Sequence, residues 1–511
     1  GITIAGFEPA MDYMVVKVPR WDFEKFSGQV DRTTGPMMKS VGEVMAIGRS
    51  FEEAIQKALR MLDKGKLGLV CNAEDSQDIP DELLEERLSI PSDQRIFYLP
   101  AAFSKGYSLE KVHELSKIDN WFLSKIRDIV VVANKLREIK GEEVERKKWM
   151  TLAKRYGFCD EQIAKLIGLK FEDIREFRTR NGIHPSFKMI DTTAGEWPCR
   201  TNYCYVSYGD IEDDVEESRG KNKALVLGAG SNRIGSSVEF DYCTMNLVWS
   251  LKSEGIDEVI VANNNPETVS TDYDMSDKLY FEELSLERVL DIVEKEKPMG
   301  VVVSVGGQIP NNLALSLSKR KVKILGTSAE SIDAAEDRAK FSSLLDRLRI
   351  PQPPWSRVYS IEQAKLIARG FGYPVLIRPS YVLSGAAMSV ASNEEELVSF
   401  IERATEISGE NPVVISKFIE GAVEAEIDAV SDRNGNLSYV VLEHVEAAGT
   451  HSGDAIIVTP PQRISETLVK RMVEIASSCA RELSIRGPFN IQFLLKEKTV
   501  YVIEVNLRAS R

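Results

Sequence analysis

The sequence predicts an α/β domain followed by an α+β domain, both preceded by an all-α segment, and three observations predict this. Past residue 222, the short β-branched runs "KALVLGAG", "EVIVANNNP", "KLYF", "GVVVSVGG" and "KILGT" alternate with helical patterns such as "SLERVLDIVEKEK" and "IPNNLALSLSKR". That alternation implies a parallel sheet covered by helices. From Pro351 onward the strands are longer and fold into hairpins, and between residues 108 and 182 the apolar spacing is mostly helical.

Bulk composition narrows the class. A chain of 511 residues has room for about three ordinary domains. With 43% hydrophobic and 28% charged residues it has a soluble globular composition. A formal charge of −13 argues against a nucleic-acid partner, which would need a basic footprint. Cys71, Cys159, Cys199, Cys204, Cys243 and Cys479 form no CxxC pair, so reduced thiols in a cytoplasmic compartment fit best. No apolar run approaches the roughly 20 residues of a membrane span, and "GITIAGFEPAMDY" carries no basic leader. With no initiator Met, both ends are expected to be cut.

Taken in order, residues 1–63 end in a helix: Ser50 and Glu53 read as a capping box, and Phe51, Ile55, Ala58, Leu59 and Leu62 form its apolar stripe. An acidic, poorly periodic connection follows, then the helical stretch. A second acidic connector, "GDIEDDVEESRGKNK", marks a boundary near residue 216. Within the helical stretch, "DEQIAKLIGLKFEDIREFRTRNGI" has the outline of a DNA-binding helix-turn-helix. Its acids interleave with Lys170, Arg175, Arg178 and Arg180, so a packed helical hairpin is the better reading. "VLGAGSNRIGSSVEFD" tempts toward a dinucleotide fingerprint, but the third glycine falls at Gly235 instead of at Arg233, and Asn263, Asn264 and Asn265 stand where a ribose-binding acid would be expected. The glycine-rich turn still marks a ligand crevice at the mouth of a parallel sheet.

In the last region, "PVLIRPSYVLSGAAM" puts Arg378 at a strand end, ahead of Ser384, Gly385, Ala386 and Ala387, small residues that let backbone approach a phosphate; a surface hairpin with a chance arginine reads the same way. His444 and His451 are too far apart for a zinc pair, and Ser452 beside His451 is no evidence of a triad. The terminal "FNIQFLLKEKTVYVIEVNLRASR" reads as an antiparallel hairpin. At period two, Tyr501, Ile503, Val505 and Leu507 share one face, and Glu504, Asn506 and Arg508 the other. A turn centred on Lys498 brings Gln492 opposite Glu504. One carboxylate and two amides suit a hard cation such as Mg²⁺, and the guanidinium suits a phosphate. An exposed polar strand face would look similar.

Together the motifs "AEDRAKF", "RPSYVLSGAAM", "VVISKFIEGAVEAEIDAV", "EHVEAAGTHSGDAIIVTPPQ", "FNIQF" and "IEVNLRASR" occur in the order seen in ATP-grasp enzymes. With "GSNRIGSSVEFDYC", "NNPETVSTDYD" and the N-terminal "FEPAMDYMVVKVPRWDFEKF" they resemble the large chain of carbamoyl-phosphate synthetase, most weakly across 64–215. "SGAAM" is similar to eukaryotic members of the pyrimidine pathway. Leu507 departs from the proline that often follows the asparagine. The resemblance implies four parts: 1–63, the tail of the first synthetase half; 64–215, a helical oligomerisation domain; 216–335, a pre-ATP-grasp domain; and 336–511, a truncated ATP-grasp domain that phosphorylates carbamate.

The same resemblance implies roles by matching motif. Gln492, Glu504 and Asn506 would hold Mg²⁺ or Mn²⁺, with K⁺ a further candidate cation. Arg338 and Arg378 would hold ATP phosphates, and Arg508 and Arg511 the transferring group. Lys417, Ile419 and Glu424 match positions around adenine and ribose, and Gly449, Thr450, His451 and Ser452 a nucleotide-covering segment. Glu43 and Glu267 look like residues lining a carbamate tunnel. ATP, carbamate, a glutaminase domain or subunit and further copies of the chain are the implied partners, with neither nucleic acid nor membrane. The alternatives are another ATP-grasp ligase such as a biotin carboxylase, and an assembly fragment without activity.

Overall fold

In the computed structural model, the described residues are 5–26, 30–139, 143–209, 212–216, 220, 222–379, 388–408 and 413–510. Arg511 and the small-residue loop Ser384, Gly385, Ala386 and Ala387 lie outside them. The chain divides into two compact units, Gly1–Leu325 and Gly326–Arg511.

The first unit opens with an antiparallel pair, Met14–Arg20 and Gly42–Gly48, followed by helix Phe51–Met61. Ser50 caps that helix by accepting from the Glu53 N–H at 3.2 Å, as its sequence predicts. The reciprocal arm differs: the Glu53 carboxylate accepts from Arg49 N–H at 2.8 Å, one residue ahead of the cap. A helical layer follows, from Asp81–Ser89 to Phe171–Arg180. Its core is formed by Leu123, Ile126, Ile129, Val130 and Ala133 of the long helix Asn120–Glu138, packed with Ile55, Leu59, Met150 and Ile163.

A seven-stranded sheet completes the unit, in the order Ser186–Met189, Tyr203–Ser207, Lys278–Phe281, Glu258–Asn263, Lys223–Leu227, Val301–Val302, Ile324–Leu325. Only Ser186–Met189 pairs antiparallel. Two of these strands come from residues 64–215, the segment read as helical. Tyr203–Ser207 earns its place through a short parallel pairing with Lys278–Phe281, a partner too distant in sequence for local pattern to reveal. Sequence order reverses between Lys223–Leu227 and Val301–Val302, which is the switch point of a doubly wound sheet.

Helices and sheet of this unit are joined by buried charge. Lys154 Nζ lies 2.9 Å from Asp160 Oδ1 and 2.5 Å from Glu287 Oε1, and Arg178 reaches Asp160 at 2.8 Å and Asp291 at 2.9 Å. Arg175 pairs with Asp291 and Glu294. Arg175 and Arg178 of the helix-turn-helix outline are therefore turned onto acids of the next domain, whereas Arg180 is exposed and pairs with Glu143. Lys154→Met removes one cation and leaves two buried carboxylates short of a partner, at a cost of about 3–5 kcal/mol. Thermal unfolding should show a clear fall in midpoint, partly restored by adding Glu287→Leu; an unchanged midpoint in the single variant overturns this account.

In the second unit, a four-stranded antiparallel sheet (Trp355–Val358, Val413–Lys417, Val375–Pro379, Ser389–Ala391) carries helices Ile361–Phe371 and Glu394–Ser408. A five-stranded antiparallel sheet has the order Ile457–Val458, Leu437–His444, Val423–Ser431, Gly487–Lys496, Thr499–Asn506. Its core face buries Ala425, Ile427, Phe489, Ile491 and Phe493. Among the described residues, no helix is long and apolar enough to cross a membrane.

Candidate functional site

The site grows from the register of the last hairpin. Lys496 pairs with Thr499 across the two-residue turn Glu497–Lys498, and Phe493 pairs with Val502. Continued unchanged, that register would bring Ile503 opposite Gln492. A β-bulge intervenes, so that Gln492 pairs with Glu504 and Asn490 with Asn506. The expected face assignment needs correction for the same reason. Val500 and Val502 are buried before the bulge, and Val505 and Leu507 after it, whereas Tyr501 and Ile503 are only half-buried. The extra residue shifts the alternation by one, which simple period-two reading cannot anticipate.

Cross-strand pairing fills out the polar face. Glu424, Glu426 and Asp428 stand opposite Leu494, Gln492 and Asn490, beside Glu504 and Asn506. Asn506 Nδ2 donates to Glu504 Oε1 at 3.1 Å, and Arg508 Nη2 to Asn506 Oδ1 at 3.5 Å. Asn490 Nδ2 donates to Glu426 Oε2 at 2.9 Å and Asp428 Oδ1 at 2.7 Å. Ser510 donates to Asp428 as well. Burial pushes the carboxyl of Glu424 above its usual range, against the Gly449 N–H and His444 that favour its anion. Asp428 is raised by burial too, with Ser510 and Asn490 opposing.

Two cations flank these acids. Burial pulls Arg338 down to about 9, helped by Arg378 beside it and opposed by Glu504. Arg378 is lowered by burial, again opposed by Glu504. Arg338 donates Nη1 to the carbonyl of the bulge residue Ile503, yet among the described residues its Nε and that of Arg378 are buried without a hydrogen-bond partner. Two guanidiniums buried beside one another with unfilled Nε donors, and Glu504 as the carboxylate acting on both, are poised for an anion from outside.

The segment from Gly449 to Ser452 closes over the same face. Gly449 N–H donates to Glu424 Oε2 at 3.2 Å, and Gln492 Nε2 to Ser452 Oγ at 3.4 Å. Gly449 has φ +103°, and a Cβ there would come within 3.0 Å of the Phe418 ring, so only glycine fits. Thr450 N–H bonds the Ala447 carbonyl, and His451 Nδ1 accepts from Gly453 N–H at 3.0 Å. The Lys417 ammonium donates to the carbonyls of Gly372 and Tyr373 at 2.9 and 3.0 Å. Ile419 is half-buried.

Glu43 and Glu267 belong to the first unit. Glu43 pairs with Lys17, whose ammonium that contact holds above its usual range, with a smaller push from Glu267. Glu43 is half-buried and Glu267 exposed.

Sequence reasoning missed Glu426, Asp428, Asn490 and His444. The first two were within reach, since "VEAEIDAV" puts them on the face of Glu424 by strict alternation. His444 was weighed only as a zinc ligand. It is 1% exposed, with Nε2 at 3.6 Å from Glu426 Oε1. Burial opposes its protonation, but Glu426 and Glu424 outweigh that and raise it.

The donor set fits a magnesium–nucleotide pair. Glu504, Gln492 and Asn506 offer hard oxygens, and Mg²⁺ leaves the rest of its shell to substrate phosphates and water. Among the described residues, no three His, Cys, Asp or Glu side chains form a cage on their own, as such a mixed site would have it.

Three family descriptions match consecutive parts of the chain: "Carbamoyl-phosphate synthetase large chain, oligomerisation domain" over 43–182, "Carbamoyl phosphate synthase preATP-grasp domain" over 220–334, and "Carbamoyl-phosphate synthase L chain, ATP binding domain" over 337–511. The carbamoyl phosphate synthase large chain of Sulfolobus acidocaldarius is 51% identical over 515 residues, covering 100% of this chain and 48% of that one. That of Hyperthermus butylicus is 52% identical over 514 residues, covering 100% and 47%. The mitochondrial carbamoyl-phosphate synthase (ammonia) of Rattus norvegicus is 49% identical over 512 residues, covering 100% and 34%. The chain thus spans about half the length of the first two and a third of the last. Among solved structures, the biotin carboxylase domain of the Hydrogenobacter thermophilus 2-oxoglutarate carboxylase, with MgADP and bicarbonate, aligns at 22% identity over 57% of this chain and 65% of that one, with a TM-score of 0.47.

Proposed function

Since the chain belongs to the carbamoyl-phosphate synthetase large-chain family through three consecutive domains, we propose that its second unit binds MgATP and transfers the γ-phosphoryl group to carbamate, giving carbamoyl phosphate and ADP. The observation that carries this reading is the convergence of Glu504, Gln492 and Asn506 beside two buried guanidiniums whose Nε atoms find no partner among the described residues.

Carbamate is already an anion, so in-line attack on the γ-phosphorus needs no general base. The work left to the protein is positioning, charge neutralisation and exclusion of water. Arg338 and Arg378 neutralise phosphate oxygens, and Arg508, oriented by Asn506, meets the transferring group together with Arg511. Glu504, Gln492 and Asn506 hold the metal ion, which would supply charge neutralisation on the phosphates. Gly449 to Ser452 cover the nucleotide. Glu424 accepts from the ribose once Gly449 releases it, and Ile419 lies against the adenine. Carbamate breaks down readily in water, which favours delivery by a closed route; Glu43 and Glu267 are the assigned lining residues.

Isothermal titration of this chain with ATP should give saturable binding that requires Mg²⁺. Heat signals identical with and without Mg²⁺, or none at all, overturn the assignment and favour the inactive assembly fragment. Turnover driven by biotin and bicarbonate but not by carbamate would favour a biotin carboxylase. The finer type, glutamine-hydrolysing and of the eukaryotic pyrimidine pathway, is supported by "SGAAM" alone; amide-labelled glutamine supplied to the complete assembly tests it against free ammonia. The helical domain supports a homo-oligomeric assembly.

A further inference from the structure

We infer that the first unit holds a second small-molecule site, for a neutral ligand that presents an N–H donor. It goes beyond the phosphotransfer reading and stands without it. The site is a cavity of about 400 Å³ between the helical layer and the C-terminal edge of the parallel sheet. That volume falls in the range of small-molecule pockets, at the crevice where doubly wound sheets bind their ligands.

The inner wall is set by Gly230, in the turn after Lys223–Leu227. A Cβ on Gly230 would meet Ile309 Cδ1 at 3.0 Å, Asn264 Oδ1 at 3.8 Å and Leu284 Cδ1 at 3.9 Å, so these three side chains converge there. Ile309, Leu284 and Asn264 all line the cavity, with Leu313, Leu67 and Phe171 adding apolar surface.

Asn264 is the unusual member. It is the middle of three consecutive buried asparagines, and its neighbours are satisfied. Asn263 Oδ1 accepts from Gly230 N–H at 3.0 Å and its Nδ2 donates to Ser270 at 3.0 Å. Asn265 Nδ2 donates to Asn232 at 3.0 Å and its Oδ1 accepts from Glu267 N–H at 3.0 Å. Asn264 is 2% exposed, yet its Oδ1 has no hydrogen-bond partner among the described residues. An amide oxygen without a partner on a side chain that lines a cavity calls for a complementary N–H donor.

The charges around the cavity explain why the ligand is neutral. Arg60 is paired with Glu283 at 2.6 Å, Lys66 with Glu74 at 2.5 Å and Glu287 with Lys154 at 2.5 Å, while Asp63 is paired with Arg233 and Arg320 with Glu172. Glu161 is exposed to solvent. An ionic ligand would leave water without gaining an unspent countercharge. A carboxamide, lactam or imide on an apolar frame loses little on entry and can pair with Asn264.

Benzamide is the probe, with benzoate as its anionic isostere, followed by saturation-transfer NMR and calorimetry on this chain. Benzamide should bind saturably and benzoate at least tenfold more weakly. Asn264→Leu should weaken benzamide at least tenfold and abolish the preference. Ile309→Trp, which fills the inner end, should remove binding while the thermal midpoint stays within a few degrees; it serves as the deciding variant if Asn264→Leu does not fold. No saturable benzamide binding, equal affinity for benzoate, or undiminished affinity in a folded variant would falsify the proposal.

Discussion

Glu504→Ala in the complete enzyme is expected to cut ATP synthesis from carbamoyl phosphate and ADP by on the order of a hundred- to a thousandfold. Under the proposed function, this reverse transfer reads the site that phosphorylates carbamate. Glu504 supplies the only carboxylate among the three assigned metal donors, and its carboxylate also offsets the two buried guanidiniums. Removing one preorganised electrostatic contact of this kind costs about 2.7–4 kcal/mol, two to three decades in rate. Glu504→Gln keeps the shape and one oxygen donor but loses the charge. It should keep the fold and the Asn506 contact while remaining far below wild type, which separates lost charge from lost packing. Near-normal synthesis in Glu504→Ala would remove Glu504 from the metal site, and with it the central support for the proposed function.

The same strand shows how far sequence could lead. Reading a turn at Lys498 brought Gln492 opposite Glu504, the pairing observed, but two departures compensate to produce it: the turn sits half a residue earlier, and Ile503 is bulged. Local pattern cannot reveal a bulge whose extra carbonyl is taken up by Arg338, a side chain from 165 positions away. Glu426 and Asp428 were legible as alternating acids, yet an acidic alternating strand also describes a solvated face, and only their burial distinguishes the two. Arg378 was legible as a cation at a strand end. The isolation of its Nε was not, because isolation is a property of everything packed around a residue. In the first unit, the strand–helix alternation after residue 222 announced the parallel sheet, while strands Ser186–Met189 and Tyr203–Ser207 lie outside that alternation and join the sheet through a partner distant in sequence.

That isolation leads to the second large effect, in which binding and stability move in opposite directions. Arg378→Met should lower the rate of phosphoryl transfer about ten- to a hundredfold, the value of a charge-assisted hydrogen bond of about 1.5–3 kcal/mol. In the nucleotide-free protein, however, Arg378 is a buried cation with an unpartnered Nε, and burial works against its charge. Methionine of similar length replaces that uncompensated charge with packing, so the free protein should unfold a few degrees higher. Arg338→Met is the internal control. It removes a guanidinium in the same environment but also strips the Ile503 carbonyl of its donor, so the gain in stability should be smaller or absent. Added MgATP should then raise the melting midpoint of wild type and narrow or reverse the advantage of Arg378→Met, because only the wild type uses the nucleotide to neutralise its stranded cation. A nucleotide-free Arg378→Met protein that melts well below wild type would mean that the guanidinium already has its partner within the fold, and the anion-binding role of this pair of arginines would have to be abandoned.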